Sequence, residues 1–244
     1  MQTPPAIKES HPAEIATLLR GESEAISTWS GQWSTQRFVL HLAVLVLGAG
    51  AYGAAMGWWR DPQQALYVAI KFPLIILLTT LGNALINGML APLLGLNIPF
   101  RQSFSAIVMS FTIAAAILGA FSPLMAFLVW NAPPMSSQAF SMPAYNVIKL
   151  THVAMITFAG IMGNARLWQL LGHLGGSRAV AFRVLVAWLA GNLFLGSQLS
   201  WILRPFIGSP NLPVEFLRAT ALHGNFYENV LSTSQQILNA FWND

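Results

Sequence analysis

Long apolar runs divide the chain into five segments separated by short polar or charged breaks. A run of about 20 mostly apolar residues is long enough for a helix to cross the hydrocarbon core of a bilayer. The runs lack the apolar–polar alternation of membrane β-strands. The predicted spans are about 38–59, 66–90, 103–130, 145–171 and 180–203. The pattern therefore predicts an all-α fold, a polytopic bundle of five transmembrane helices that occupies residues 37–203.

A short amphipathic helix is predicted in the N-terminal tail, residues 1–36, where it begins after Ser10 and ends at Gly21. Its apolar face consists of Ile15, Leu18 and Leu19. We expect this face to lie on the membrane or to dock on a partner.

The C-terminal tail, residues 204–244, opens with a loop rich in Pro and Gly and continues as a moderately amphipathic segment. The apolar face of that segment consists of Phe226, Val230, Leu231, Leu238 and Phe241. We expect an ordered tail that packs on the bundle or lies at the membrane interface.

The composition agrees with a membrane protein. Only 8% of the residues are charged and 55% are hydrophobic, whereas a soluble domain has about 25% charged residues. The 12 Lys and Arg residues are scattered and form no basic patch, which excludes nucleic acid as a partner. The chain has no cysteine, so disulfides and thiolate metal sites are excluded.

The basic residues near the span ends predict the orientation. On the side of the N-terminus lie Lys8, Arg20, Arg37, Arg101, Arg166, Arg178 and Arg183, and on the other side lie Arg60, Lys149, Arg204 and Arg218. Cytoplasmic ends carry the excess of Lys and Arg. We therefore expect a multi-pass protein of a bacterial inner membrane, with a cytoplasmic N-terminus and an extracytoplasmic C-terminus.

Lys71 lies inside the second predicted span and is left out of the orientation count. A charge at the centre of a bilayer costs about 3 kcal/mol or more. Lys71 lies about 8 Å inside the second span, within reach of the interface by snorkelling. It is either a structural cation that binds a carbonyl or a lipid phosphate, or a cation that lines a cavity or conduction path.

Four further polar residues complete a candidate binding cluster. Asn83 and Asn87 are four residues apart on the second span and share one face. They either coordinate a polar solute or hydrogen-bond to a neighbouring helix. Lys149 and His152 lie one turn apart on the fourth span, where we expect them on one face, close to a lipid phosphate or an anion.

Small residues recur at four-residue spacing in four spans. The pairs and triplets are Ala49-Gly53-Gly57, Ala115-Gly119, Ala159-Gly163 and Ala187-Gly191. Such stripes let helix backbones approach closely, and they predict a compact bundle.

No catalytic motif is present. The sequence contains no GxSxG, HExxH or GxxxxGK[ST], and no span contains Asp or Glu. His41 and His152 have no carboxylate beside them in the spans, which argues against a metal site. We expect no enzyme, no catalytic residue, no cofactor and no metal.

Three segments resemble the motifs of a family of uncharacterised bacterial five-span membrane proteins. Its members carry K-x-P-L-L-x-x-x-T, S/T-Q-x-x-W-x-L-R-P-F-I-G-x-P and G-N-F-Y. The matching residues are Lys71, Pro73, Leu74 and Thr79; Ser197, Gln198, Trp201, Leu203, Arg204, Pro205, Phe206, Ile207, Gly208 and Pro210; and Gly224, Asn225, Phe226 and Tyr227.

The resemblance extends over most of residues 37–231. The chain departs from it at Gly82–Asn87, where members carry a Pro-x-L-Y-V-F-like run. The layout is also similar in topology to Yip1-type membrane proteins. The resemblance implies the five-span architecture, and it implies no activity.

Arg204 follows the fifth span directly. We expect it to cap the last carbonyls of that span, or to pair with Glu215 or Glu228. Either contact would fold the tail back over the mouth of the bundle, near Lys71 and Lys149.

Two functions are compatible with these features. The first is a non-catalytic membrane scaffold or accessory subunit, with the lipid bilayer and a membrane-protein partner or a second copy of the chain as its partners. The alternative is a channel or carrier for a small polar or anionic solute, lined by Lys71, Asn83, Asn87, Lys149 and His152. The lack of intramembrane acids and of an inverted repeat favours the first.

Overall fold

The computed structural model describes residues 16–17, 19–20, 34–135, 140–174, 177–232 and 235. Five long helices run through this part of the chain: α1 (Thr35–Trp58), α2 (Pro62–Leu93), α3 (Phe100–Trp130), α4 (Met142–Leu174) and α5 (Arg178–Ile202). Each is long and apolar enough to cross a membrane. Residues 226–232 are also helical, and the described residues contain no strand. The prediction of an all-α fold with five spanning helices is confirmed.

The second helix, α2, begins one turn earlier than predicted. The helix begins at Pro62 rather than near residue 66, because Asp61 caps it by accepting a hydrogen bond from the Gln63 N–H at 2.7 Å. Proline is well suited to the first position of a helix, where its missing N–H has no partner to lose. The added turn places Gln64 within the helix.

The five helices differ in how much of their surface is buried in the bundle. The central helix α3 packs against α1, α2 and α4, while α5 contacts only α2 and α4 to any extent. Within an apolar 18-residue stretch of each helix, 50% of the residues are buried in α3, 22% in α4 and 17% in α5. Two of the five helices therefore present most of their surface to their surroundings.

The small-residue stripes lie where helices touch, as predicted. A methyl group on Gly48 would overlap the carbonyl oxygen of Ala115, and one on Gly119 would lie 2.8 Å from the Gly48 Cα. One on Gly53 would lie 2.5 Å from the Val68 carbonyl oxygen. Backbone therefore packs directly on backbone where α1 crosses α3 and α2.

The end of the bundle from which the C-terminal tail emerges is here named the tail end. Its apolar core is built by the end of α1, the start of α2, the end of α3 and the start of α4, with no residue of α5. Phe206 and Ile207 of the tail pack against this core instead. The tail thus covers the side of the core that the fifth helix leaves open.

The core at the opposite end includes residues from the first half of α5, among them the fully buried Trp188. Leu19 of the N-terminal segment packs on this core, and its carbonyl oxygen accepts a hydrogen bond from Arg166 Nη2 at 2.9 Å. Leu19 thus docks on the bundle itself. The other two residues of the predicted apolar face, Ile15 and Leu18, lie outside the described residues, as do Leu238 and Phe241 of the C-terminal face.

Candidate functional site

A polar stripe on the first half of α2 faces the C-terminal tail. It consists of Gln64, Tyr67 and Lys71 on the helix and of Arg60 just before it. Spacings of four, three and four residues place these side chains on one side of a helix. We call this stripe the tail-docking face.

Lys71 is the centre of the tail-docking face. Its side chain is fully buried, with 0% of its surface exposed. Its Nζ donates to the carbonyl oxygens of Pro205 at 3.1 Å and Glu215 at 3.4 Å. The ring centroids of Phe216 and Tyr67 lie 5.1 and 5.9 Å from Nζ. Carbonyl oxygens and aromatic faces both carry negative potential, so the tail, together with Tyr67 of α2, supplies the partners that this buried ammonium needs. These contacts match the structural interpretation of Lys71.

Gln64 and Arg60 hold the same loop through further backbone carbonyls. Gln64 Nε2 donates to the carbonyl oxygens of Pro205 and Phe206 at 3.0 and 2.9 Å. Arg60 Nη2 donates to the carbonyl oxygen of Leu212 at 3.1 Å. Gly208 adopts φ +87°, and a Cβ there would lie 3.0 Å from Arg60 Cγ. A glycine is therefore favoured where the loop turns against the helix.

Arg204 closes the end of α5. Its two terminal nitrogens donate to the carbonyl oxygens of Trp201 and, at 3.3 Å, Thr220. Its guanidinium carbon lies 3.7 Å from the centroid of the Trp201 ring. The predicted capping of the span is confirmed, and within the described residues the alternative pairing with Glu215 or Glu228 is not found. Partial burial, followed by the nearby charge of Arg218, lowers the pKa of Arg204.

The G-N-F-Y segment fixes the next part of the tail. Asn225 Oδ1 accepts from the Glu228 N–H at 2.9 Å and so caps the helical residues 226–232. Tyr227 accepts a hydrogen bond from Ser197 Oγ at 3.0 Å, and its ring stacks on Phe194 with centroids 5.9 Å apart. The tail therefore runs back along α5, and in the described part these contacts match the packed form of the predicted tail.

Asn83 and Asn87 join α2 to α5. Asn83 Nδ2 donates to the Trp188 carbonyl oxygen at 3.2 Å and to Asn192 Oδ1. Asn87 Nδ2 donates to Asn83 Oδ1 at 2.7 Å. A methyl group on Gly191 would overlap Asn83 Oδ1, so the glycine makes room for this contact. Of the two predicted roles, hydrogen bonding between neighbouring helices is the one that these contacts match.

Lys149 and His152, predicted to lie together on one face of α4, have different surroundings. His152 is buried and shares a 2.9 Å hydrogen bond between Nδ1 and the Tyr52 hydroxyl. Lys149 is exposed, and its Nζ lies 5.6 Å from the Tyr145 ring centroid. A three-residue step leaves two helical side chains about 60° apart, which is enough to put Lys149 outside the narrow buried face of α4. Ile148, four residues before His152, occupies that face instead.

The five candidate binding residues therefore do not form one cluster. Lys71 binds the tail, the two asparagines bind α5, His152 binds α1 and Lys149 lies on the surface. Within the described residues no three His, Asp or Glu side chains lie together in a way that would hold a metal ion.

Three residues of the tail-docking face were absent from the predicted set, namely Arg60, Gln64 and Tyr67. The sequence carries a signal for them, because they precede Lys71 at helical spacing. The signal is hard to recognise because Arg60-Asp61-Pro62 looks like a break between two spans.

Comparisons of the chain with protein-family models, with curated proteins and with solved structures found no match. The family resemblance of the three motifs stays an expectation, and function has to be inferred from the geometry.

Proposed function

We propose that the protein is a non-catalytic integral membrane scaffold or an accessory subunit of a membrane complex. The observation that carries this proposal is the engagement of Lys71, whose ammonium is buried against two carbonyl oxygens of the chain's own tail. A cation that serves a conduction path faces a water-filled cavity or a mobile counter-charge. Lys71 serves the fold instead, and so do the Asn83 and Asn87 side chains.

The exposed faces of α4 and α5 are the proposed assembly surface. These two helices bury the least within the chain, and α5 exposes large apolar side chains that include Phe182, Leu193 and Phe194. In a membrane such a surface meets either lipid or another helix, and close side-chain packing is the main source of helix association there. We propose a membrane-protein partner or a second copy of the chain on this surface.

The proposed location is a bacterial inner membrane, with the tail end of the bundle on the extracytoplasmic side. The distribution of Lys and Arg supports this orientation, because seven lie near the N-terminal side of the spans and four near the other.

One observation favours the alternative function, a channel or carrier. Thr79 Oγ1 and Asn87 Oδ1 are buried between α2 and its neighbours and have no hydrogen-bond partner in the described residues. An unsatisfied buried polar atom costs about 1–3 kcal/mol, and a polar solute passing along α2 would satisfy both. On the same stretch of α2, however, the side-chain amide of Asn83 is hydrogen-bonded to Asn192 of α5. This bond between helices supports the scaffold more strongly.

Because the chain has no cysteine, a single introduced cysteine is a unique attachment point. Leu193→Cys on α5 and Leu47→Cys on α1 compare two positions with similar exposed fractions, 63% and 71%. After labelling in native membranes with a maleimide photocrosslinker, we expect a discrete adduct of higher mass from Leu193→Cys, at least several-fold more abundant than from Leu47→Cys. Mass spectrometry of the adduct identifies a second copy or another protein. Equal yields at both positions, or none, would argue against assembly through α5.

A further inference from the structure

Two arginines lie side by side at the tail end. Arg204 Nη2 donates to the carbonyl oxygen of Thr220 at 3.3 Å. Thr220 lies two residues after Arg218. On the other side, the Glu215 carbonyl oxygen, three residues before Arg218, accepts from Lys71 at 3.4 Å. The segment that carries Arg218 is thus held between two cations, and the charge of Arg218 contributes to the lowered pKa of Arg204.

No carboxylate of the described residues forms an ion pair with this group of cations. Those carboxylates are Asp61, Glu215 and Glu228. Asp61 is engaged in capping α2. Glu215 and Glu228 form no ion pair with an arginine in the part of the chain that the structure describes, and the half-buried Arg218 guanidinium has no hydrogen bond or ion pair there. Arg218 therefore holds a fork of N–H donors with no protein acceptor.

We propose that Arg218, with Arg204 beside it, binds the phosphate group of an anionic phospholipid at the tail end of the bundle. A guanidinium group matches phosphate oxygens with two parallel N–H donors, which makes arginine well suited to this ligand. The site has a half-exposed tryptophan, Trp201, of the kind that lies at the level of lipid headgroups.

A lipid fits this place better than free phosphate because the same segment exposes apolar side chains. Leu217 stands immediately before Arg218, and Leu222 shortly after it has 79% of its surface exposed. Such side chains gain from contact with acyl chains while the arginine holds the headgroup.

The test uses the full chain in nanodiscs that contain equal amounts of phosphatidylglycerol and phosphatidylcholine. Native mass spectrometry then counts the lipids that stay bound after release. We expect the wild type to retain phosphatidylglycerol in preference to phosphatidylcholine. In Arg218→Gln this preference should fall about fivefold, because one basic residue at the interface strengthens the binding of anionic lipid by roughly that factor. Arg218→Lys, which keeps the charge, should keep most of the preference. Lys149→Gln removes an exposed cation from α4 at the same end. It measures the non-specific effect of one interfacial charge and should cost less of the preference than Arg218→Gln.

Three results would overturn the proposal. The first is equal retention of both lipids by the wild type, and the second is an unchanged preference in Arg218→Gln. The third is displacement of phosphatidylglycerol by millimolar inorganic phosphate in an Arg218-dependent manner, which would assign the site to free phosphate.

Discussion

Replacing Lys71 with methionine is expected to release the C-terminal tail from the bundle. Methionine fills a similar volume but donates to neither carbonyl. Gln64 still serves the Pro205 oxygen, whereas the Glu215 oxygen loses its partner in the described residues. Replacing both partners of a buried ion pair with apolar residues often leaves stability unchanged, because no unpaired charge stays behind. Here the acceptors stay, so the loss is that of hydrogen bonds from a charged group, about 1.5–3 kcal/mol each.

That loss raises the population of the open tail by a factor of about ten or more. Trypsin reports on it directly, because it cuts after Arg218 and not at the Arg204–Pro205 bond. We expect the 219–244 fragment to be released at least about tenfold faster from Lys71→Met than from the wild type in nanodiscs. Lys149→Met, which removes an exposed lysine, is the matched control and should be cut at the wild-type rate. Cleavage of Lys71→Met at the wild-type rate would show that Lys71 does not hold the tail.

A methyl group added at Gly48 is expected to destabilise the bundle strongly. The new Cβ would overlap the carbonyl oxygen of Ala115, and the facing Gly119 backbone leaves no room on the other side. The obstacle is backbone rather than a movable side chain, so α1 and α3 must separate. Overpacking of a tight core costs about 1–3 kcal/mol, which exceeds the gain of about 1 kcal/mol in helix propensity from glycine to alanine.

The matched control is Gly160→Ala in α4. A Cβ there meets nothing within 4 Å, so only the gain in helix propensity applies. We expect opposite signs in thermal unfolding of the detergent-solubilised protein: a lower midpoint for Gly48→Ala and an unchanged or slightly higher one for Gly160→Ala. A midpoint for Gly48→Ala at or above the wild-type value would contradict the close crossing of α1 and α3.

The number and type of the helices follow from the sequence, because each span has to bury an apolar run of sufficient length. The small-residue stripes also predicted where backbones meet, since only Gly and Ala permit that approach. The start of α2 lies four residues before the predicted one, because Arg60-Asp61-Pro62 interrupts the apolar run although Asp61 and Pro62 are good residues to begin a helix.

The partners of Lys71 were beyond reach of the sequence. The contact joins residues 134 positions apart, and the sequence around a lysine does not indicate which distant carbonyl oxygen it will contact. The resemblance gave an indirect hint, because Lys71 and Pro205 belong to two of its three motifs. The structure brings the segments around Lys71 and Pro205 into contact.

Lys149 and His152 show a different limit. Helical spacing places two residues near one another, but the position of the buried stripe on α4 depends on how its neighbours pack. The buried residues Ile148, His152 and Ala159 face the rest of the bundle, and Lys149 lies just outside them. Only the tertiary contacts of α1 and α3 decide this.

Anion flux into proteoliposomes tests most directly whether Lys71 serves the fold or a conduction path. The full chain is reconstituted, and chloride and phosphate uptake are followed in parallel for the wild type, Lys71→Met and protein-free vesicles. With Lys71 held by Pro205 and Glu215, we predict wild-type uptake equal to that of protein-free vesicles. Uptake by the wild type above that of protein-free vesicles would contradict the scaffold and support the channel or carrier in its place.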